Sequence, residues 1–183
     1  MKLSEWWLNV LTADERKLFY DIDSAAGTNC YQLITGDGKS SKLVKNFSIL
    51  LGYLKNSSER HLAYKIIDKG EQLMTEKTDV IDRHFFYQAK MQVYYKNRDE
   101  DLFAFDKAIE ACNQQIELSE SVLAVYPYPI IPTHAGFKQL CIIREKQGNY
   151  EEVIKLAKTA EEHGWSGDWL KRIEKCKKKI EKL

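Results

Sequence analysis

Between residues 41 and 55, Leu43, Val44, Phe47, Leu50, Leu51 and Leu54 fall at steps of three and four. That spacing places them on one stripe of a helix and predicts a buried face. Asn56-Ser57-Ser58 breaks the pattern, and Ser58 is read as the N-cap of a helix running to about Leu73. Thr78 or Asp79 opens the next helix, to about Tyr95. A fourth is predicted from about Asp101 to Leu118, a fifth from Thr133 to Gln147, a sixth from Tyr150 to Glu162, and a last from about Asp168 onward. The three prolines all lie in Pro127-Tyr128-Pro129-Ile130-Ile131-Pro132, which must be an extended loop because proline excludes helical geometry for itself and its predecessor. The expected fold class is all-α.

The sharpest local signal is Gln147-Gly148-Asn149-Tyr150. Gly148 suits the positive φ that stops a helix, and Asn149 with Glu152 has the spacing of a capping box for the following one. The two helices flanking this turn echo an earlier pair. Phe47, Leu50, Leu51, Leu54, Ala63, Ile67 and Gly70 are spaced like Phe137, Leu140, Cys141, Arg144, Val153, Ala157 and Ala160, with an offset of 90 residues throughout. Only Arg144 is neither apolar nor small. Small residues on the second helix of each pair allow its partner to approach closely, and self-similarity of this kind marks a helical solenoid.

Phe137 through Ala160, with the turn at 147–150, resembles a tetratricopeptide repeat (TPR). The middle pair resembles one through Ala104, Ala108 and Ala111 on its second helix. Its first helix admits two registers, Phe86/Ala89/Val93 or Tyr87/Met91/Tyr94. The units are irregularly spaced, since Ala63 to Ala104 is 41 residues and Ala104 to Val153 is 49, against a family period of about 34. Longer stretches, from His84 to the final basic helix, are similar to helical tails of uncharacterised bacterial and phage proteins. The resemblance covers residues 41–183 and implies TPR-like antiparallel hairpins forming a short irregular solenoid with a C-terminal capping helix. Residues 1–40 fall outside it and are expected to form a small N-terminal cap. There, Thr12-Ala13-Asp14-Glu15 is a capping-box pattern opening a short helix through Tyr20, and Cys30–Thr35 is compatible with a strand or a loop.

The resemblance also implies a function: a non-catalytic module that docks a protein or peptide in a concave groove. The groove-lining positions of the last pair are Ala135, Lys138, Gln139, Ile142, Glu145 and Lys146; those of the middle pair are Gln88, Gln92 and Tyr95. Ile142 stands where the family's carboxylate clamp needs an asparagine, which argues against capture of a peptide C-terminus. The alternative is a phage or mobile-element effector that binds and blocks a host protein.

Composition narrows the chemistry. Over 183 residues, 28 basic and 27 acidic side chains leave a net charge of +1, so no global field steers the chain toward nucleic acid or anionic lipid. The cysteines at 30, 112, 141 and 176 form no Cys-x-x-Cys pair and read as reduced, buried thiols of a cytoplasmic protein. No apolar run approaches the roughly 20 residues of a membrane span, and Trp6-Trp7-Leu8, bracketed by charge, is not a signal peptide. Gly36-Asp37-Gly38-Lys39-Ser40-Ser41 lacks the first glycine of a phosphate-binding loop, with Leu33 in its place. Of the histidines, His84 is expected to sit partly wet beside inward-packed Phe85, Phe86 and Tyr87, and none has metal-ligand spacing to another. Glu151-Glu152 and Glu161-Glu162 diverge around a helix and read as solvated. Neither an enzyme site, a metal nor a cofactor is expected. The final helix carries Lys171, Arg172, Lys175, Lys177, Lys178, Lys179 and Lys182; with Leu170, Ile173, Cys176 or the Lys177 stem, and Ile180 as its inner stripe, it is read as a solenoid cap with nucleic acid an unlikely partner.

Overall fold

A computed structural model describes residues 2–36, 42–54 and 56–182. Among the described residues the secondary structure is entirely helical. The chain divides into two compact units, Met1–Ala108 and Ile109–Leu183.

The first unit begins with α1 (Leu3–Asn9), α2 (Ala13–Ala26) and α3 (Cys30–Thr35). Thr12 caps α2 as expected: its hydroxyl accepts from the Glu15 N–H, and the Glu15 carboxylate accepts from the Thr12 N–H at 2.7 Å. The helix does not stop at Tyr20. It continues to Gly27, whose φ of +65° supplies the left-handed stop. The segment Cys30–Thr35 is a helix, neither a strand nor a loop. The cause is a carboxylate on the preceding helix: buried Asp23 accepts from the Cys30 N–H and the Tyr31 N–H, both at 2.8 Å, and from the Thr28 hydroxyl. It therefore does for α3 what an N-cap does from a neighbouring position.

Next come α4 (Leu43–Tyr53), a 3-10 turn (Ser57–Glu59), α5 (Arg60–Leu73) and α6 (Val80–Lys96). The whole predicted stripe of α4, with Leu54 just past its end, is buried. It packs against α5 and α6, and also against α2 and α3. Trp6, Phe19 and Phe47 bring rings from α1, α2 and α4 into one core. Ser58 does not cap α5. Asn56 begins the 3-10 turn, and the Glu59 carboxylate accepts from its backbone and side-chain N–H groups. Asp79 opens α6, its carboxylate accepting from the N–H groups of Ile81 and Asp82. On α6 the expected facing is partly reversed: His84 is buried while Phe85 is exposed, because the 3.6-residue period carries Phe86, Ala89 and Val93 inward and turns Phe85 away from that face. Met91 and Tyr94, from the other register, are buried too.

The helix α7 (Ala104–Glu117) starts three residues later than predicted and carries Ala104, Ala108 and Ala111 with no side-chain exposure. In the second unit follow α8 (Ser119–Val125), which the sequence pattern did not reveal, then α9 (Ala135–Lys146), α10 (Tyr150–Glu162) and α11 (Trp169–Ile180). The proline segment between α8 and α9 is non-helical, as expected. Gly136 on α9 lies against α7: a Cβ there would stand 2.9 Å from the Cys112 carbonyl oxygen and 2.8 Å from Gln115 Oε1.

The turn from α9 to α10 has the form the sequence implied. Gly148 has φ +74°, the Asn149 N–H donates to the Arg144 carbonyl at 2.9 Å, and the Asn149 side chain accepts from the Glu152 N–H. Arg144, the one polar member of the 90-residue echo, spans this turn: it pairs with Glu152 at 2.9 Å and donates to Gln147 Oε1. After α10, Gly164 (φ +87°) repeats the device, and the Trp165 N–H reaches back to the Ala160 carbonyl. α10 packs on both α9 and α11. The inner stripe of α11 is Trp169, Ile173 and Cys176. Leu170 is 61% exposed, because Trp169 takes the inward position and its indole N–H is used on the Trp165 carbonyl at 2.7 Å.

Gly70 tests the close approach of α5 to α6. A Cβ at this position would fall on the edge of the buried Phe86 ring, whereas one at Gly52, on the exposed side of α4, would meet nothing within 4 Å. Gly70→Ala is expected to destabilise the protein by about 1–3 kcal/mol. Gly52→Ala is expected to stabilise it by about 0.5–1 kcal/mol through helix propensity. Urea denaturation of both variants checks the pair; equal effects would show that the crossing is not tight.

Candidate functional site

The expected groove residues fall into two sets, one in each unit. On α9, Phe137, Leu140, Cys141 and Ile143 point inward, leaving Lys138 and Lys146 exposed and Ala135, Gln139 and Ile142 half-buried. Lys138, Ile142 and Lys146 follow one another at steps of four and so form one line along the helix. On α6, Gln92 is exposed while Gln88 and Tyr95 are half-buried. The Arg98 guanidinium lies 4.4 Å over the Tyr95 ring and donates to the Tyr95 carbonyl oxygen, so it covers one face of that ring.

Glu145 is otherwise engaged. Its carboxylate meets Lys175 at 2.6 Å, Lys179 at 3.1 Å and Arg172 at 3.3 Å, all from α11. The hydrogen bond from Lys175 leads in holding the Glu145 carboxyl below the usual range, against the opposing effect of burial. The Lys179 ammonium is correspondingly raised by its bond to Glu145 and also lies 4.9 Å over the Tyr150 ring. Glu145 thus ties α9 to α11. The partners stand 27 to 34 residues away, beyond any local spacing rule.

One arrangement in the second unit has the outline of a catalytic triad. Ser119 Oγ lies 2.8 Å from His163 Nδ1, and His163 Nε2 lies 3.1 Å from Glu120 Oε1. Its burial is inverted for acyl transfer. Ser119 is only 1% exposed, so a substrate carbonyl has no route to the hydroxyl, while the acid that should be sheltered stands in solvent. The trio links the start of α8 to the end of α10.

In the first unit, Lys90 on α6 is 1% exposed and pairs with Glu71 of α5 at 2.6 Å. Asp68, one turn earlier, has its pKa raised chiefly by burial and further by the Glu71 charge. A buried lysine needs such a partner, since burial without one costs several kcal/mol. Nothing in the spacing of Glu71 and Lys90 announced this pair; it depends on the α5–α6 crossing.

The four cysteines are free and buried. Burial pushes the Cys30, Cys112 and Cys141 thiols up to about 12, so they are poor nucleophiles at neutral pH. Among the described residues, no three His, Cys, Asp or Glu side chains converge as metal ligands, and no helix is long and apolar enough to cross a membrane. The stretch 37–41, where the phosphate-loop comparison was drawn, lies outside the described residues.

Two measurements follow from these environments. Ellman's reagent at pH 8 should leave all four thiols unlabelled in native protein and titrate four in denaturant; rapid native labelling would contradict their burial. Burial also holds His84 down, to about 4. The unfolded side chain takes its proton near pH 6.5, so the folded state loses stability as pH falls from about 6.5 to about 4. His84→Gln should flatten that part of the stability curve, a difference approaching roughly 3 kcal/mol at the acid end, measured by urea midpoints at successive pH values.

Compared with protein-family models, curated proteins and solved structures, the chain matches none.

Proposed function

We propose that this protein is a non-catalytic binding module that holds a protein or peptide segment on a surface of TPR-like helical hairpins. The observation carrying this reading is the line Lys138, Ile142 and Lys146 on α9, whose apolar centre is flanked by cations while the opposite face of the helix is consumed by packing. A strip of this kind accepts an extended or helical segment with an apolar anchor and acidic neighbours. The packing of α4 on both α5 and α6 supports the repeat reading, since a first helix that touches its own partner and the next first helix is how a solenoid propagates. A further apolar pair, Leu102 and Phe103 at 93% and 76% exposure, lies in the turn before α7 and is unusual for a surface with no partner.

A photo-crosslinking amino acid at position 142 is expected to capture a defined partner in cells, and one at the exposed position 155 on α10 is not. Lys138→Glu combined with Ile142→Glu should weaken that capture at least tenfold. Equal adducts from positions 142 and 155, or full retention by the double variant, would remove the groove as the binding surface.

A further inference from the structure

The packing of α11 leaves a face that the fold does not use. With Trp169, Ile173 and Cys176 turned inward, Lys171, Lys175, Lys178 and Lys182 are exposed at steps of four, three and four. They run nearly parallel to the helix axis over roughly 16 Å. A shallow depression of 360 Å³ follows this row, and its lining is lysine except for Glu174. Seven basic and two acidic side chains lie between Trp169 and Lys182, in a chain whose total charge is +1, so the remainder of the molecule is acidic. One carboxylate, Glu145, already serves Arg172, Lys175 and Lys179 together. Lys171, Lys178 and Lys182 keep their charge for solvent or a partner.

Four classes of polyanion suit a row of lysines, and the surroundings separate them. A protein interface needs buried aromatic or aliphatic anchors, and among the described residues of α11 the one large, strongly exposed apolar group is Leu170, at one end. An anionic membrane requires a second, apolar signal for stable attachment, which the row lacks. Single-stranded nucleic acid is held by aromatic platforms, and none is interleaved here. What remains is the regularly charged backbone of a duplex, which demands only point charges along a straight rigid rod. We propose that the outer face of α11 binds the phosphodiester backbone of double-stranded nucleic acid without reading its sequence. This surface is separate from the α9 strip, and either can fail without the other.

The test is fluorescence anisotropy of a labelled 20-base-pair duplex with the full chain. Three to four phosphate contacts predict a fall in affinity of roughly 40- to 150-fold between 50 and 200 mM salt. Lys171→Gln/Lys178→Gln/Lys182→Gln should weaken binding at 50 mM salt at least 30-fold. The same three positions changed to arginine should retain it, with the melting temperature of both variants checking the fold. Lys17→Gln/Lys155→Gln/Lys158→Gln, removing equal charge from exposed sites elsewhere, should bind as the parent does. The proposal is overturned if this control loses as much affinity as the α11 variant. It is also overturned by undetectable duplex binding at 50 mM salt, or by tighter binding to vesicles containing 30% phosphatidylserine or to poly-glutamate than to the duplex.

Discussion

The first unit depends on the apolar stripe of α4. This one helix touches α2, α3, α5 and α6, and Phe47, Leu43 and Leu50 have almost no exposure. Each such side chain contributes about 1.5–3 kcal/mol by leaving water. The polar features of the unit are arranged around this burial. Asp23 organises α3 where it meets α4; Glu15 and Lys65 pair at 2.7 Å between α2 and α5; Lys90 and Glu71 join α6 to α5. These ties help fix the geometry of the packed helices, because leaving buried Asp23 or Lys90 without its partners would cost several kcal/mol.

Much of this architecture was legible because its causes are local. The stripe of α4, the proline loop, the Gly148 turn and the Asn149–Glu152 cap all follow from residues within a few positions of one another, and those elements match the structure. The departures share a different origin. Cys30–Thr35 is helical because of Asp23, seven or eight residues upstream. Trp169 displaced Leu170 from the inner stripe because its N–H has a carbonyl to reach and its ring meets Phe137. His84 is buried although its neighbours gave no reason to desolvate an imidazole. In each case a tertiary contact chose between two faces that periodicity left nearly equal.

The surface readings divide the same way. Along α9 the packed positions leave Lys138 and Lys146 exposed and Ile142 half-buried, the complement that helical periodicity implies. Glu145 belongs to the same helix, yet its role was invisible until α11 supplied three cations to it. The triad outline at Ser119, Glu120 and His163 was equally hidden by 44 residues of intervening chain, and its inverted burial makes it a brace between helices.

The α9–α10 turn has one more consequence, for the order in which the chain acquires structure. Every contact that shapes it, from the Arg144 carbonyl to the Glu152 carboxylate, lies within nine consecutive residues. Closing so short a loop takes little entropy and little time. The ties of the first unit are far longer in sequence: Glu15 must find Lys65 across 50 residues, and Arg60 must find Glu100 across 40. That turn thus forms as soon as its own residues exist, whereas the long ties, among them Ser119 to His163 across 44 residues in the second unit, must wait for their partners. During synthesis the α4 stripe emerges before α5 and α6, the helices that cover it, and until they follow it is an apolar surface in need of protection from aggregation.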